Sequence, residues 1–430
     1  MRIVIVGGAS RQWGPTLVTD IVRTPSLQQA TIVLHDIDEP ALERMARFAT
    51  LAAATTGMVS VEATTDRAAA LRGADFVVVT ISTGGFDSMA HDLEVPARHG
   101  IEQSVGDTVG PGGISRSLRN VPVLVDIARD VEQLCPDAWL LNITNPMTVL
   151  TRAIARETNV RVVGLCHEVG HLRHDIATAC GVRTRDVEVA ISGVNHLPWV
   201  TSLSIAGDEG FDALRAAIST RPEGERFARE NALKLDLLDR YGALAGAGDR
   251  HVAEFFPWVL TEASNWGKDW GVYLTRIVDR RNMEDWFRSR LDAWLDGRDE
   301  LPAEPSGELV APVIDSLVTG TRRDVPLNLP NQGQAPYLPA DVVVETLCTV
   351  DRDGVRGRDA VVPPQPCAEW TRRHVAVQEL TVEAAVSGDR ELVRAAMALD
   401  PLCSRLDLAS IDAMTGDLLA ATAEWLPQFA

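Results

Sequence analysis

Ile3-Val4-Ile5-Val6-Gly7-Gly8-Ala9-Ser10, near the start of the 430-residue chain, is the stretch that decides the fold. A short β-branched strand runs into two glycines and then into a helical pattern. In such a βα turn backbone N–H groups can approach a pyrophosphate while the next helix presents its partial positive end. Gly7 and Gly8 supply the close approach, and Ser10 joins them as a cofactor-binding candidate. The turn departs from G-x-G-x-x-G, because Ala9 stands at the second glycine and Gln12 at the third. A tight turn that binds no nucleotide is therefore the competing reading. The second strand ends at His35-Asp36-Ile37-Asp38, where Asp36 would accept ribose hydroxyls and repel a 2′-phosphate, which selects NAD over NADP. Thr80, near the end of the apolar run Phe76 to Ile81, is a further cofactor-side candidate.

Outward from that turn, β-branched runs at 31–34, 76–81, 139–143 and 160–165 alternate with helical periodicity over 40–54 and 121–133. This pattern predicts a parallel sheet covered by helices, with ligands bound at the strand ends. After about residue 187 the strands become less regular, a helical stretch covers 211–240, and the part from 371 to 423 reads as helical. The expected division is a nucleotide-binding domain over 1–190 and a mixed α/β domain over 191–430. A net charge of −19 argues against a nucleic-acid partner. The first apolar run is too short for a secretory signal, and no run reaches the ~18 apolar residues of a membrane span. The expectation is a cytoplasmic enzyme with a small-molecule substrate. Six cysteines form no CxxC pair.

The loops after the later strands carry Asn142-Ile143-Thr144-Asn145, Cys166-His167-Glu168 and Asn195-His196. A thiolate and an imidazole from separate loops can hold a divalent metal while leaving positions open for substrate oxygens. Cys166 and His196 are the best such pair; simple packing is the alternative for the cysteine, and a satisfied core hydrogen bond for the histidine.

Taken in order, these motifs resemble glycoside hydrolase family 4. They are Gly7-Gly8-Ala9-Ser10, Asp36-Ile37-Asp38, Gly106-Asp107-Thr108-Val109-Gly110-Pro111-Gly112-Gly113 with Arg119, Asn145-Pro146-Met147, Cys166-His167-Glu168-Val169, Asn195-His196 and Asn328 to Pro339. The resemblance implies a Rossmann-like domain followed by one like the lactate/malate dehydrogenase C-terminal domain, tightly held NAD, a divalent metal that is mainly manganese, and a homodimer or homotetramer. It also implies a hydrolysis in which NAD oxidises the sugar at C3, a base removes the C2 proton, and the aglycone is eliminated.

Carried over by position, Cys166 and His196 match the family's metal ligands and Asn145 its substrate-contacting asparagine. Asp107 is the candidate to protonate the leaving oxygen, and His167 shares that role or orients substrate. Asp249 is the expected base with Tyr241 in reserve, a helix cap being the other reading of Asp249. Cys-His-Glu-Val resembles the branch acting on α-linked uronides or unphosphorylated α-glycosides, and Met89 stands where phosphosugar members carry Arg. Arg173, His171, His174 and Arg276 are the available clamps for a uronate carboxylate. The alternatives are a 6-phospho-glycosidase, a lactate/malate-type dehydrogenase and a non-enzymatic NAD-binding sensor.

Overall fold

Six parallel strands carry the first half of the chain: β1 (Arg2–Val6), β2 (Thr31–His35), β3 (Ser60–Thr64), β4 (Phe76–Val79), β5 (Trp139–Asn142) and β6 (Arg161–Gly164). The computed structural model, which describes all 430 residues, sets them in the order β3-β2-β1-β4-β5-β6. The order reverses between β1 and β4, and a crevice opens at the carboxyl ends of the strands beside such a switch point. The central strands are continuous apolar runs because helices cover both faces. In β1, Val4 and Val6 enter one apolar layer and Ile3 and Ile5 the other, as the two-residue alternation of a strand requires.

The second half extends the same sheet. β7 (Val187–Val194), β8 (Leu197–Ile205), β9 (Asp208–Glu209), β10 (Leu244–Ala245), β11 (Arg323–Pro330), β12 (Val343–Asp351) and β13 (Gly354–Gly357) pair antiparallel. β11 joins β6 through Asn328 opposite Gly164, and the path continues β12-β7-β8-β10. The two residues between β7 and β8 are Asn195 and His196. The expected helical stretch over 211–240 is three helices, Gly210–Thr220, Pro222–Glu230 and Ala232–Tyr241.

Helix Gly110–Leu134 packs on one face of the parallel strands through Val121 and Leu124. The same layer holds Val382, Met397 and Met414 from the last three long helices, Gln365–Ser387, Arg390–Leu399 and Leu408–Ala421. The other layer holds Leu17, Ile21, Met45 and Phe48. Full burial of each such side chain contributes roughly 1.5–3 kcal/mol. The C-terminal helices thus return to the first half of the chain, where Arg152 pairs with Glu379 at 2.9 Å. No helix is long and apolar enough to cross a membrane, and all six cysteines are free.

Candidate active site at the strand ends

Asp107, Asn145, Cys166, His167, His196 and Asp249 line one cleft of about 630 Å³. Their loops follow strands or precede helices at the carboxyl edge of the sheet. Tyr241 does not reach the cleft; its ring lies 6.4 Å from that of Phe256 against an apolar cluster. The four carboxylate clamps expected from sequence also lie outside its lining. Arg173 donates to the carbonyls of Val187 and Thr184, His174 bonds to Thr184, and Arg276 pairs with Asp279. His171 stacks 4.4 Å from His167.

The nucleotide turn is built more tightly than its spacing suggests. Gly7 has φ 83°, and a Cβ there would stand 1.9 Å from the Thr80 carbonyl oxygen. The glycine is needed because the chain crosses the end of β4. Gly7 and Gly8 both donate to the His35 carbonyl, at 3.0 and 2.9 Å. Ala9 N–H donates to Asp36 Oδ2 at 3.0 Å, and Ser10 Oγ accepts from Trp13 N–H at 3.1 Å. Those groups are engaged within the chain. The N–H groups of Arg11 and Gln12 have no partner, and they precede helix Trp13–Arg23, whose positive end attracts anions. Asp36 accepts two N–H bonds, and a carboxylate has lone pairs for about four. These residues fit a dinucleotide, with Arg11 and Gln12 toward its phosphates and Asp36 toward its ribose.

His196 sits at the tip of the β7–β8 hairpin with φ 65°, a left-handed conformation uncommon outside glycine. Such strain persists where the surroundings enforce it. Thr108 Oγ1 lies 2.8 Å from His196 Nδ1 and donates its own proton to Asp107 Oδ1 at 2.7 Å. Thr108 therefore accepts from Nδ1–H, which leaves the Nε2 lone pair free to coordinate. Burial and the neighbouring His251 pull the His196 pKa down to about 3, so the ring is neutral. Cys166, after β6, is buried, and burial together with Glu345 and Glu168 pushes its thiol well above the usual range. A bound cation would reverse that by replacing the proton.

His251 was not anticipated, although it lies two residues after Asp249. Its ring centroid is 3.8 Å from that of His196, and its Nδ1 is buried with no hydrogen-bond partner. Asp107, His196 and His251 each offer a ligand atom within 4.8 Å of the others. Asn145 Oδ1 is likewise buried and unpartnered. Sulfur, imidazole nitrogen and oxygen donors with orphaned atoms around one space fit a divalent transition metal and an oxygen-rich ligand.

Two buried acids hold the Asp107 loop. Glu254 Oε1 accepts the N–H groups of Val105 and Gly106 at 2.7 and 2.8 Å, and burial raises its pKa to about 8. Asp400, from the C-terminal part, accepts Gly110 N–H at 3.1 Å. Helix Gly110–Leu134 can start there because Gly113 lies against the Thr108 backbone, where a Cβ would stand 2.5 Å from its carbonyl carbon. Burial disfavours the Asp107 carboxylate, but His251, His196 and Arg116 outweigh it and keep its pKa below the ordinary value.

His167 lies between two acids, with Glu308 at 2.8 Å from Nδ1 and Glu168 at 3.5 Å from Nε2. Burial works against its charge, yet the bonds to Glu168 and Glu308 raise its pKa to about 10. Glu308 follows the Pro- and Glu-rich loop at 297–307, which nothing in the sequence ties to this cleft. Asp249 is buried and accepts Leu233 N–H at 2.8 Å and Lys234 N–H at 3.2 Å, anchoring the start of helix Ala232–Tyr241. The helix-capping alternative is thus what its contacts display.

The family 4 glycosyl hydrolase model matches residues 2–182, and the family's C-terminal domain model matches 191–403. The chain belongs to glycoside hydrolase family 4. An α-galacturonidase from Lachnoclostridium phytofermentans is 33% identical, covering 100% of this chain and 97% of its own length. An α-galactosidase from Bacillus subtilis is 32% identical over 100% of this chain and 99% of its own. The crystal structure of the Bacillus subtilis glucosidase candidate LplD superposes with a TM-score of 0.91 at 30% identity, covering 97% and 99%. More distant structures share the fold. A 6-phospho-α-glucosidase from gut microorganisms, solved with NAD and Mn2+, has a TM-score of 0.82 at 19% identity over 100% and 99%. A lactate dehydrogenase from Cryptosporidium parvum has 0.56 at 15% over 90% and 98%. The family 4 chain is therefore a glycoside hydrolase on a Rossmann domain with a dehydrogenase-like C-terminal half, and the plain dehydrogenase reading gives way to it.

Proposed function

We propose that this family 4 enzyme cleaves unphosphorylated α-glycosides of galactose-type sugars, α-galacturonides foremost. The arrangement of Cys166, His196 and Asn145 around one cleft beside the nucleotide turn carries the reading. The names of the similar α-galacturonidase and α-galactosidase support the sugar. NAD at the turn would supply reversible hydride transfer at C3, and a divalent metal, manganese as in the related structure, would supply a Lewis acid.

The chain's own groups divide the remaining work. Cys166 and His196 would hold the metal, and the unpartnered Asn145 Oδ1 accepts from a substrate hydroxyl. His251 takes the C2 proton at its unpartnered Nδ1. This moves the base from Asp249, whose oxygens bond the helix amides, and from Tyr241, which lies elsewhere. His167, charged between its two acids, gives the proton to the departing glycosidic oxygen, the role first assigned to Asp107. Asp107 stays ionised and fixes the His196 ring through Thr108. Trp13 stands 6.1 Å from His167 and lines the same cleft, which helps to exclude water from the reacting edge of the sugar.

Hydrolysis of an aryl α-galacturonide in D2O, with NAD and Mn2+ present, tests this. Deuterium at C2 of the released sugar is the expected result, and hydrolysis without exchange would falsify the elimination route.

A further inference from the structure

Arg280 stands apart from the other cations of the cleft. Arg229 pairs with Glu225 at 3.2 Å. Arg250 donates to the Ser104 carbonyl, Thr275 and Tyr273 and stacks 3.8 Å over the Tyr273 ring. The Arg280 guanidinium lines the same cleft half-buried, yet it makes no hydrogen bond and no ion pair. Most arginines of this acidic chain have a carboxylate partner. Arg250 lines the same cleft instead, and the two like charges disfavour each other. An arginine with no ion pair of its own, beside a second cation in a cleft, forms a site for a planar oxyanion, which a guanidinium grips with two parallel N–H bonds.

The cleft's layout says which part of the substrate would reach it. Cys166 and His196 are buried at the floor, whereas Gly271 and Tyr273, on the segment leading to Arg280, are exposed at the rim. In a pyranose the C2–C3 edge is opposite the edge formed by the ring oxygen and C5. A sugar with C2 and C3 at the floor therefore turns its C5 substituent toward the rim. Resting on the family 4 reading above, we infer that Arg280, backed by Arg250, is the specificity-determining residue that receives a carboxylate on C5 of the sugar. The substrate class is then an α-uronide, and a neutral galactoside leaves this guanidinium unpaired.

The test compares wild type with Arg280→Gln and Arg280→Lys on aryl α-D-galacturonide, α-D-galactoside and α-D-galactoside 6-phosphate, together with direct calorimetric binding of D-galacturonate and D-galactose. For wild type, the galacturonide should be the preferred substrate. Arg280→Gln should lose about 10- to 100-fold in kcat/KM on it, mostly through KM, as expected for a charge-assisted bidentate contact. The same variant should change less than about 3-fold on the galactoside. Arg280→Lys should recover part of the loss, since it keeps the charge and not the fork. Galacturonate affinity should fall in parallel with kcat/KM.

Equal losses on both neutral and charged sugars, or none, would overturn the role of Arg280 while leaving the galacturonidase reading intact. A wild-type preference for the 6-phosphate would assign the oxyanion to a phosphoryl group and overturn the carboxylate. A wild type that favours galactoside and binds galacturonate no better than galactose would overturn both readings.

Discussion

Thr108 Oγ1 lies 2.8 Å from His196 Nδ1 while its own proton goes to Asp107, so one hydroxyl decides which imidazole nitrogen faces the cleft. Outer partners of metal-ligating histidines typically contribute 10–100-fold in metal affinity. Thr108→Val keeps the shape and removes both bonds. Manganese affinity, read by electron paramagnetic resonance of free Mn2+, should fall by about 10–100-fold with the fold and NAD binding retained. Unchanged affinity would show that the hairpin alone orients the ring.

Asp249 and His251 can be separated as bases. Asp249→Asn keeps one acceptor for the amides of Leu233 and Lys234, so it should cost about 1 kcal/mol of stability, as lost helix capping does, with C2 exchange persisting. His251→Gln should bind NAD and Mn2+ yet lose roughly 10²–10⁴-fold in exchange, the usual contribution of a general base. A well-folded Asp249→Asn without exchange would return the role to Asp249.

Gly7→Ala tests the nucleotide turn. At φ 83° a Cβ would stand 1.9 Å from the Thr80 oxygen, whereas at Gly57, φ 68°, it would meet nothing within 4 Å. Both substitutions pay the left-handed penalty of about 1–2 kcal/mol. Only Gly7→Ala should also abolish NAD binding, measured by fluorescence titration, because the backbone of the turn must move. If both variants bind NAD like wild type, the turn is not the cofactor site.

The parallel half was legible because each central strand is an apolar run bounded by a turn, and Ile3 to Val6 and Phe76 to Val79 needed no partner to be recognised. The start of helix Gly110–Leu134 was not. Its Gly110-Pro111-Gly112-Gly113 segment has the composition of a loop and is helical because only glycine fits beside Thr108 and Gln103. The site residues on strand-end loops were found from residue type and order. His251, Glu308 and Arg280 were missed because their significance lies in what they touch or fail to touch. A histidine two residues from an aspartate, or an arginine among the many of helix Ile277–Leu295, carries no local mark of an empty hydrogen-bonding position.

His374 sets an acid limit on stability away from the cleft. It is buried, bonds through Nε2 to the Phe255 carbonyl at 3.0 Å, and burial depresses its pKa to about 4. An unfolded histidine titrates near 6.5. The unfolded state therefore binds the extra proton first as pH falls, so this contribution is present above pH ~6.5 and is lost progressively down through pH ~4. Its full size is about 3 kcal/mol. The difference in urea stability between wild type and His374→Gln should shrink by that order between pH 7 and pH 4. A difference that stays constant would mean that His374 is not neutral in the fold.

Arg119 and Asp92 form the most deeply buried ion pair, both side chains at 0% exposure. Arg119 Nη1 donates to Asp92 Oδ1 at 2.8 Å and Nε to the Thr83 carbonyl at 3.0 Å. The pair ties helix Gly110–Leu134, which follows the Asp107 loop, to helix Gly85–Arg98 and the loop after β4. Removing one partner strands the other charge in a medium that cannot solvate it, which costs about 3–5 kcal/mol, whereas replacing both by apolar groups is often neutral. Arg119→Met alone should therefore destabilise by that amount in urea unfolding, and Arg119→Met with Asp92→Leu should recover most of it. The double variant should still hydrolyse more slowly than wild type, because it loses the bond that fixes Thr83 relative to the helix. If the double variant is no more stable than Arg119→Met, the pair contributes net attraction and not merely mutual compensation of two buried charges.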